Sequence, residues 1–168
     1  MLKYLFLLLP FLFVGCSNHY PPLKTVEKVD LNSYLGTWYE IARYEHFFEK
    51  GCLDVNATYT LREDNKIKVL NSCKLEDGEL KEAEGVAYAT DESYSKLKVS
   101  FFRPFYGDYQ ILLLDENYKY AVIGEPSREY FWILSRTKKL DEKIVQRVLK
   151  EMPKLGYNPS LLIWTPQN

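Results

Sequence analysis

Val55-Asn56-Ala57-Thr58-Tyr59-Thr60-Leu61, the polar stretch Arg62-Glu63-Asp64-Asn65, and then Lys66-Ile67-Lys68-Val69 decide the fold class. Val55, Ala57, Tyr59 and Leu61 alternate with polar residues, and so do Ile67 and Val69. A period of two gives a strand one apolar and one polar face. The charged stretch between the two runs carries turn-forming Asp and Asn. Runs 53–61 and 66–74 therefore predict an antiparallel hairpin. Cys52 and Cys73 fall close to opposite each other at its open ends. A bridge there would contribute about 2–4 kcal/mol in an oxidising compartment. Two free thiols or a metal pair are the alternatives. Neither cysteine has a nearby His or a CxxC spacing, which counts against metal.

The pattern continues outward. Gly85, Ala87 and Ala89 share one face of a further strand, and Leu97, Val99 and Phe101 alternate with Lys96, Lys98 and Ser100. Stretches 109–114, 118–124 and 130–134 are apolar on both faces, so something must cover their outer side. The cover lies downstream, where Ile144, Val145, Val148, Leu149, Met152 and Leu155 form a stripe at helical spacing over 141–155. Asp141 suits the N-cap, Glu142 the positive helix end, and Gly156 the left-handed turn that ends it. A last strand is expected over 161–164. Antiparallel strands with one late helix predict an all-β, closed up-and-down barrel with a C-terminal α-helix on its flank. The 168 residues suit one such domain.

The first residues read as a targeting segment. Lys3 precedes an apolar run of about 10 residues, 5–14, too short for a membrane-spanning helix and the right length for a signal peptide. It ends in Phe13-Val14-Gly15-Cys16. A small residue before a cysteine resembles the lipobox of bacterial lipoproteins, with Phe13 where that motif usually has Leu. The resemblance implies cleavage before Cys16 and its acylation, and stable anchoring takes more than one chain. Ordinary cleavage near Gly15, with Cys16 an idle thiol, is the alternative. In the lipoproteins that this segment resembles, an Asp after the cysteine favours inner-membrane retention, so Ser17 leans towards the outer membrane, and the periplasmic face is the expected location. The expected division is a signal peptide over 1–15, a lipidated extended tether over 16–30 with Pro21 and Pro22, and the barrel domain over 31–168.

Several functions are disfavoured. Lys and Arg number 22 against 23 Asp and Glu, with no basic run to grip phosphates, so nucleic acid is not an expected partner. No GxSxG, HExxH, CxxC or P-loop pattern occurs. His19 lies in the tether and His46 reads as a surface residue of a loop. No catalytic residue, metal or cofactor is expected, and the protein is not read as an enzyme.

Three motifs stand in order. Gly36-Thr37-Trp38 opens the first strand, in the context Leu35-Gly36-Thr37-Trp38-Tyr39-Glu40-Ile41-Ala42-Arg43. Asn117-Tyr118-Lys119-Tyr120-Ala121-Val122 comes later, and Trp132-Ile133-Leu134-Ser135-Arg136-Thr137 precedes the helix. Together they resemble the motifs of the lipocalin family. The second lacks the usual Thr-Asp start. Val99-Ser100-Phe101-Phe102-Arg103-Pro104-Phe105-Tyr106-Gly107 is similar to the bacterial outer-membrane lipoprotein lipocalins and their relative apolipoprotein D. The resemblance spans roughly residues 30–165 and implies an eight-stranded barrel. It places Trp38 at the closed end beside Gly36, with Arg136 laid across the indole, a cation–π contact worth about 0.5–2 kcal/mol.

An eight-stranded barrel has room for one small ligand. Alternation assigns Ala57, Tyr59, Val69, Ala87, Val99, Phe101, Tyr109, Tyr120, Val122, Trp132 and Leu134 to the inside. Gly85, Ala87 and Ala89 are expected to leave space on one wall. Tyr59, Tyr109, Tyr120 and Trp132 supply aromatic surface with polar tips. Phe47, Phe48 and Phe105 are expected to form an apolar rim, with Arg43, Arg103 or Lys50 meeting an acidic head group. The resemblance implies a membrane-anchored binder, monomeric or homodimeric. It would store or transport a fatty acid or (lyso)phospholipid in envelope maintenance. A filled barrel that binds a partner instead of a lipid is the alternative.

Overall fold

The computed structural model describes residues 20–168. The signal segment, Cys16 and His19 lie outside the described residues. Eight antiparallel strands close into a barrel: β1 (Gly36–Tyr44), β2 (Leu53–Leu61), β3 (Ile67–Lys74), β4 (Leu80–Ala89), β5 (Lys96–Phe102), β6 (Phe105–Leu114), β7 (Tyr120–Gly124) and β8 (Phe131–Ser135). Each pairs with the next, and the ring closes where β1 meets β2, with Trp38 opposite Ala57, and β8, with Glu40 opposite Leu134. β2 accompanies β1 only over Gly36 to Tyr39. A short β9 (Leu162–Trp164) takes the vacated edge, with Ala42 opposite Trp164.

The β2–β3 hairpin has Tyr59 opposite Val69 and Ala57 opposite Asn71. Its turn is tied by Arg62 N–H donating to Lys66 O at 2.8 Å, and Asn65 takes a positive φ of 59°, which Asn tolerates well. Cys52 and Cys73 are joined in a disulfide with Cα atoms 5.4 Å apart, and Val55 is buried with them. Linking positions 21 residues apart is worth about 3 kcal/mol.

Helix α2 (Glu142–Glu151) starts where Asp141 accepts from Lys143 N–H at 2.8 Å. It does not run to Leu155 as one piece. Pro153 has no N–H to donate back along the helix, so residues Met152–Leu155 form a 3-10 turn, ended by Gly156 at φ 83°. Val148 and Met152 are fully buried against Ile41, Ala42, Phe131 and Ile133 on the outer wall.

That outer cluster also holds Tyr120 and Val122, which correct the expectation that both face the interior. Directly opposed residues in an antiparallel pair share a face. The partners of the inward Leu134 and Trp132 are Ala121 and Ile123. β7 is apolar on both faces, so alternation gives no phase there, and a slip of one residue exchanges the faces.

Residues 20–30 also differ from a free tether. Leu23 and Val29 are buried. Val26 N–H donates to Ile111 O at 3.0 Å and Val29 N–H to Ser93 O at 2.8 Å. The three apolar residues, at period three, dock the segment along the barrel. It leads into α1 (Leu31–Tyr34), a single turn capped by Asp30, which accepts from Ser33 N–H at 2.8 Å.

Candidate functional site

The closed end is built around Trp38, which is fully buried. Its indole N–H donates to Tyr34 O at 2.8 Å. The Arg136 guanidinium carbon lies 3.8 Å from the centre of the indole. Arg136 also donates to Ser33 O (2.7 Å), Tyr34 O (3.1 Å), Leu35 O (2.9 Å) and Thr37 O (2.8 Å). Three of these carbonyls end α1, where a helix leaves its acceptors unpaired and a cation is favoured. Gly36 passes close by at φ 90°, and a Cβ there would stand 3.5 Å from Arg136 Nη1.

Above this floor the barrel encloses a cavity of about 560 Å³. Such a volume is in the range of small-molecule sites. Tyr59, Val99, Phe101, Tyr109, Trp132, Phe48 and Phe105 all line it, with Ala57, Val69 and Leu134. Tyr109 is joined to Tyr34 (2.6 Å) and Tyr59 (3.0 Å) by hydrogen bonds between hydroxyls. These phenols satisfy one another at the cavity floor. Burial holds all three in the neutral form, with Tyr59 pushed up to about 12. The space expected beside Gly85 is taken by Phe101, whose ring lies against it: a Cβ on Gly85 would come within 2.9 Å of two ring carbons.

The mouth departs further from expectation. Phe47 is 86% exposed and does not line the cavity, because the 3-10 turn Phe47–Glu49 points it outward. His46 is buried, with its ring stacked on Phe48 at 3.9 Å, although a loop histidine reads as exposed. Arg43, Arg103 and Lys50 are not among the lining residues. Arg43 lies buried behind the wall. It donates to Glu40 Oε1 (2.9 Å), Glu49 O (3.0 Å) and Thr165 Oγ1 (3.1 Å). A bulge in β1 between Glu40 and Ala42 lets Glu40 and Arg43 meet.

Glu40 and Glu49 line the cavity. One guanidinium faces both carboxylates, so they cannot both ionise cheaply in a buried site. Arg43 makes its direct bond to Glu40 and stands 3.4 Å from Glu49. Burial and the neighbouring Glu40 charge push the Glu49 carboxyl up to about 9, opposed by Arg43 and Lys81. Burial and Arg43 hold His46 down at about 4. Unfolding returns these groups to about 4.5 and 6.5. The folded state then retains a Glu49 proton that the unfolded state has lost between pH 4.5 and 9, so this group's stabilisation falls as pH rises. His46 acts oppositely, between pH 4 and 6.5. Above pH 6.5 only the Glu49 effect remains. The melting temperature is therefore expected to fall between pH 6.5 and 9, and Glu49→Gln to flatten that fall. A pH-independent wild-type melting temperature across this range contradicts the assignment.

Sequence reasoning missed this polar group. One signal was available: Glu40 lies two residues after Trp38, in phase with the inward face. The bulge that brings Arg43 to it has no such signal.

A lipocalin-like domain model matches residues 29–167. Outer membrane lipoprotein Blc of Citrobacter freundii is 45% identical over 161 residues, covering 94% of this chain and 91% of that protein. Apolipoprotein D of Cavia porcellus is 35% identical over 145 residues, covering 80% and 73%. Among solved structures, insecticyanin from the tobacco hornworm Manduca sexta superposes with a TM-score of 0.70 at 26% identity, covering 86% of this chain and 84% of that one. With its closed eight-stranded barrel, its flanking helix, and Arg136 laid over Trp38, the chain belongs to the lipocalin family.

Proposed function

We propose that the protein is a lipocalin anchored in the outer membrane through acylated Cys16, which takes up a fatty acid or (lyso)phospholipid and stores or carries it in envelope maintenance. The observation that carries the reading is the cavity of about 560 Å³, walled by aromatic and aliphatic side chains and polar at one end. A barrel filled by its own side chains would leave no such volume. The lipobox-like ending at Cys16 supports the anchor, as does similarity to relatives named outer membrane lipoproteins. The role is binding rather than catalysis: His46 is packed on Phe48, and Glu40 is committed to Arg43.

Titration of the barrel with N-phenyl-1-naphthylamine, an uncharged fluorescent probe, tests the ligand reading. Saturable binding of one probe per chain, displaced by a single-chain lipid, is expected. Failure of the probe to bind favours the partner-binding alternative.

A further inference from the structure

Large apolar side chains crowd the open end of the barrel. Phe47 is 86% exposed, Phe102 75% and Phe105 71%. Phe47 follows β1, whereas Phe102 ends β5 and Phe105 opens β6, so two separate loops contribute them. The Phe102 and Phe105 rings lie parallel with their centres 6.3 Å apart. Phe47 and Phe102 do not line the cavity, so ligand binding does not account for their exposure. An apolar patch left in water marks a surface that meets a partner. The charges around it are mixed: Lys50, Lys81 and Arg103 are exposed at this end, and so are Glu45 and Glu79. The patch therefore offers apolar surface rather than a field of one sign.

The path of the chain says what covers it. Tyr20 lies at the same end. The Arg128 guanidinium carbon sits 5.0 Å from the centre of its ring, and Arg128 Nη2 donates to Pro21 O at 2.6 Å. Arg128 belongs to the connection from β7 to β8, whose Glu125 and Tyr130 line the cavity. From there the segment passes Ile111 and Ser93 and reaches α1 at the closed end. Cys16 precedes Tyr20 by four residues, a reach of at most about 14 Å whatever their path. The 10 residues of β6 put the closed end about 25 Å further along the tilted barrel. An anchor at Cys16 thus holds the mouth, not the closed end, against the bilayer. Surfaces with Phe and Leu on one side bury that side between head groups and acyl chains. Tethering makes the contact intramolecular, so a weakly binding rim suffices.

We infer that the barrel docks mouth first on the membrane that carries it, with Phe47, Phe102 and Phe105 in the lipid boundary and the cavity opening onto lipid. The inference rests on acylation of Cys16 as proposed above.

Quenching of tryptophan by brominated lipid tests the orientation. The membrane-extracted protein is weighed by mass spectrometry and placed in vesicles of phosphatidylethanolamine and phosphatidylglycerol whose acyl chains are brominated near the glycerol. Phe102→Trp puts a reporter on the rim, and Glu63→Trp puts one in the β2–β3 turn at the closed end. The native tryptophans give both proteins the same background. The added fluorescence is expected to be quenched at least threefold more at Phe102→Trp than at Glu63→Trp. Phe47→Ser, which changes an exposed side chain outside the cavity, should reduce the quenching at Phe102→Trp. Equal quenching of the two reporters in acylated protein would overturn the docking and leave the anchor standing. An unquenched Phe102→Trp in acylated protein that sediments as a dimer would overturn it too, and assign the rim to a second copy. A mass without acyl chains would overturn the anchor and the docking together.

Discussion

Trp38→Ala is expected to lower stability by about 3–5 kcal/mol, the usual range for removing a large buried aromatic side chain. For a domain of this size that corresponds to a fall in melting temperature of roughly 10 °C or more. Arg136→Ala should cost a comparable amount by a different route. It removes the cation over the indole and takes a donor from four backbone carbonyls, of which Tyr34 O keeps the Trp38 indole N–H. Arg136→Lys should recover little, because a single ammonium cannot reproduce a planar fork that bonds several carbonyls while lying on a ring. Both residues sit at the floor beneath the tyrosine network, and neither lines the cavity. Probe affinity measured well below the new melting temperature should therefore change less than threefold. Unchanged melting in both variants would contradict the assignment of this end as a structural plug.

The second large effect is expected from filling the cavity. Val99 lines it and stands opposite Ala87 and Gly107 on the neighbouring strands. Val99→Trp adds a bulky side chain where there is unoccupied volume. Probe affinity should weaken by at least tenfold, about 1.4 kcal/mol, with the melting temperature held or raised, as cavity-filling substitutions commonly do. A barrel that was already full would respond the other way: overpacking would cost about 1–3 kcal/mol. A destabilised variant with unaltered probe binding would therefore argue that the probe binds elsewhere.

Legibility in the sequence varied with local chemistry. β2, β3 and β5 each bury one face, and their alternation identifies both the strands and their inward residues. β7 buries both faces, one against the cavity side and one against α2, so the same rule mis-phases Tyr120 and Val122. α1 is a single turn, below the length at which apolar periodicity shows, yet it explains Arg136 better than the ring contact alone. Its carbonyls are what the guanidinium bonds. The docked segment 20–30 was hidden by Pro21 and Pro22, which read as an extended linker while Leu23, Val26 and Val29 carry the packing. The acidic lining was the least legible feature. Charged residues in strands read as solvated faces, and only the closed barrel turns Glu40 and Glu49 towards a shared cavity.

The central claim is that the cavity holds a lipid. Native mass spectrometry of residues 17–168, expressed in the periplasm, followed by lipid analysis of what dissociates, tests it most directly. One lipid class, carried reproducibly at close to one molecule per barrel, is the expected result. A clean ligand-free mass, from protein that also resists loading with fatty acids and lysophospholipids, would contradict it.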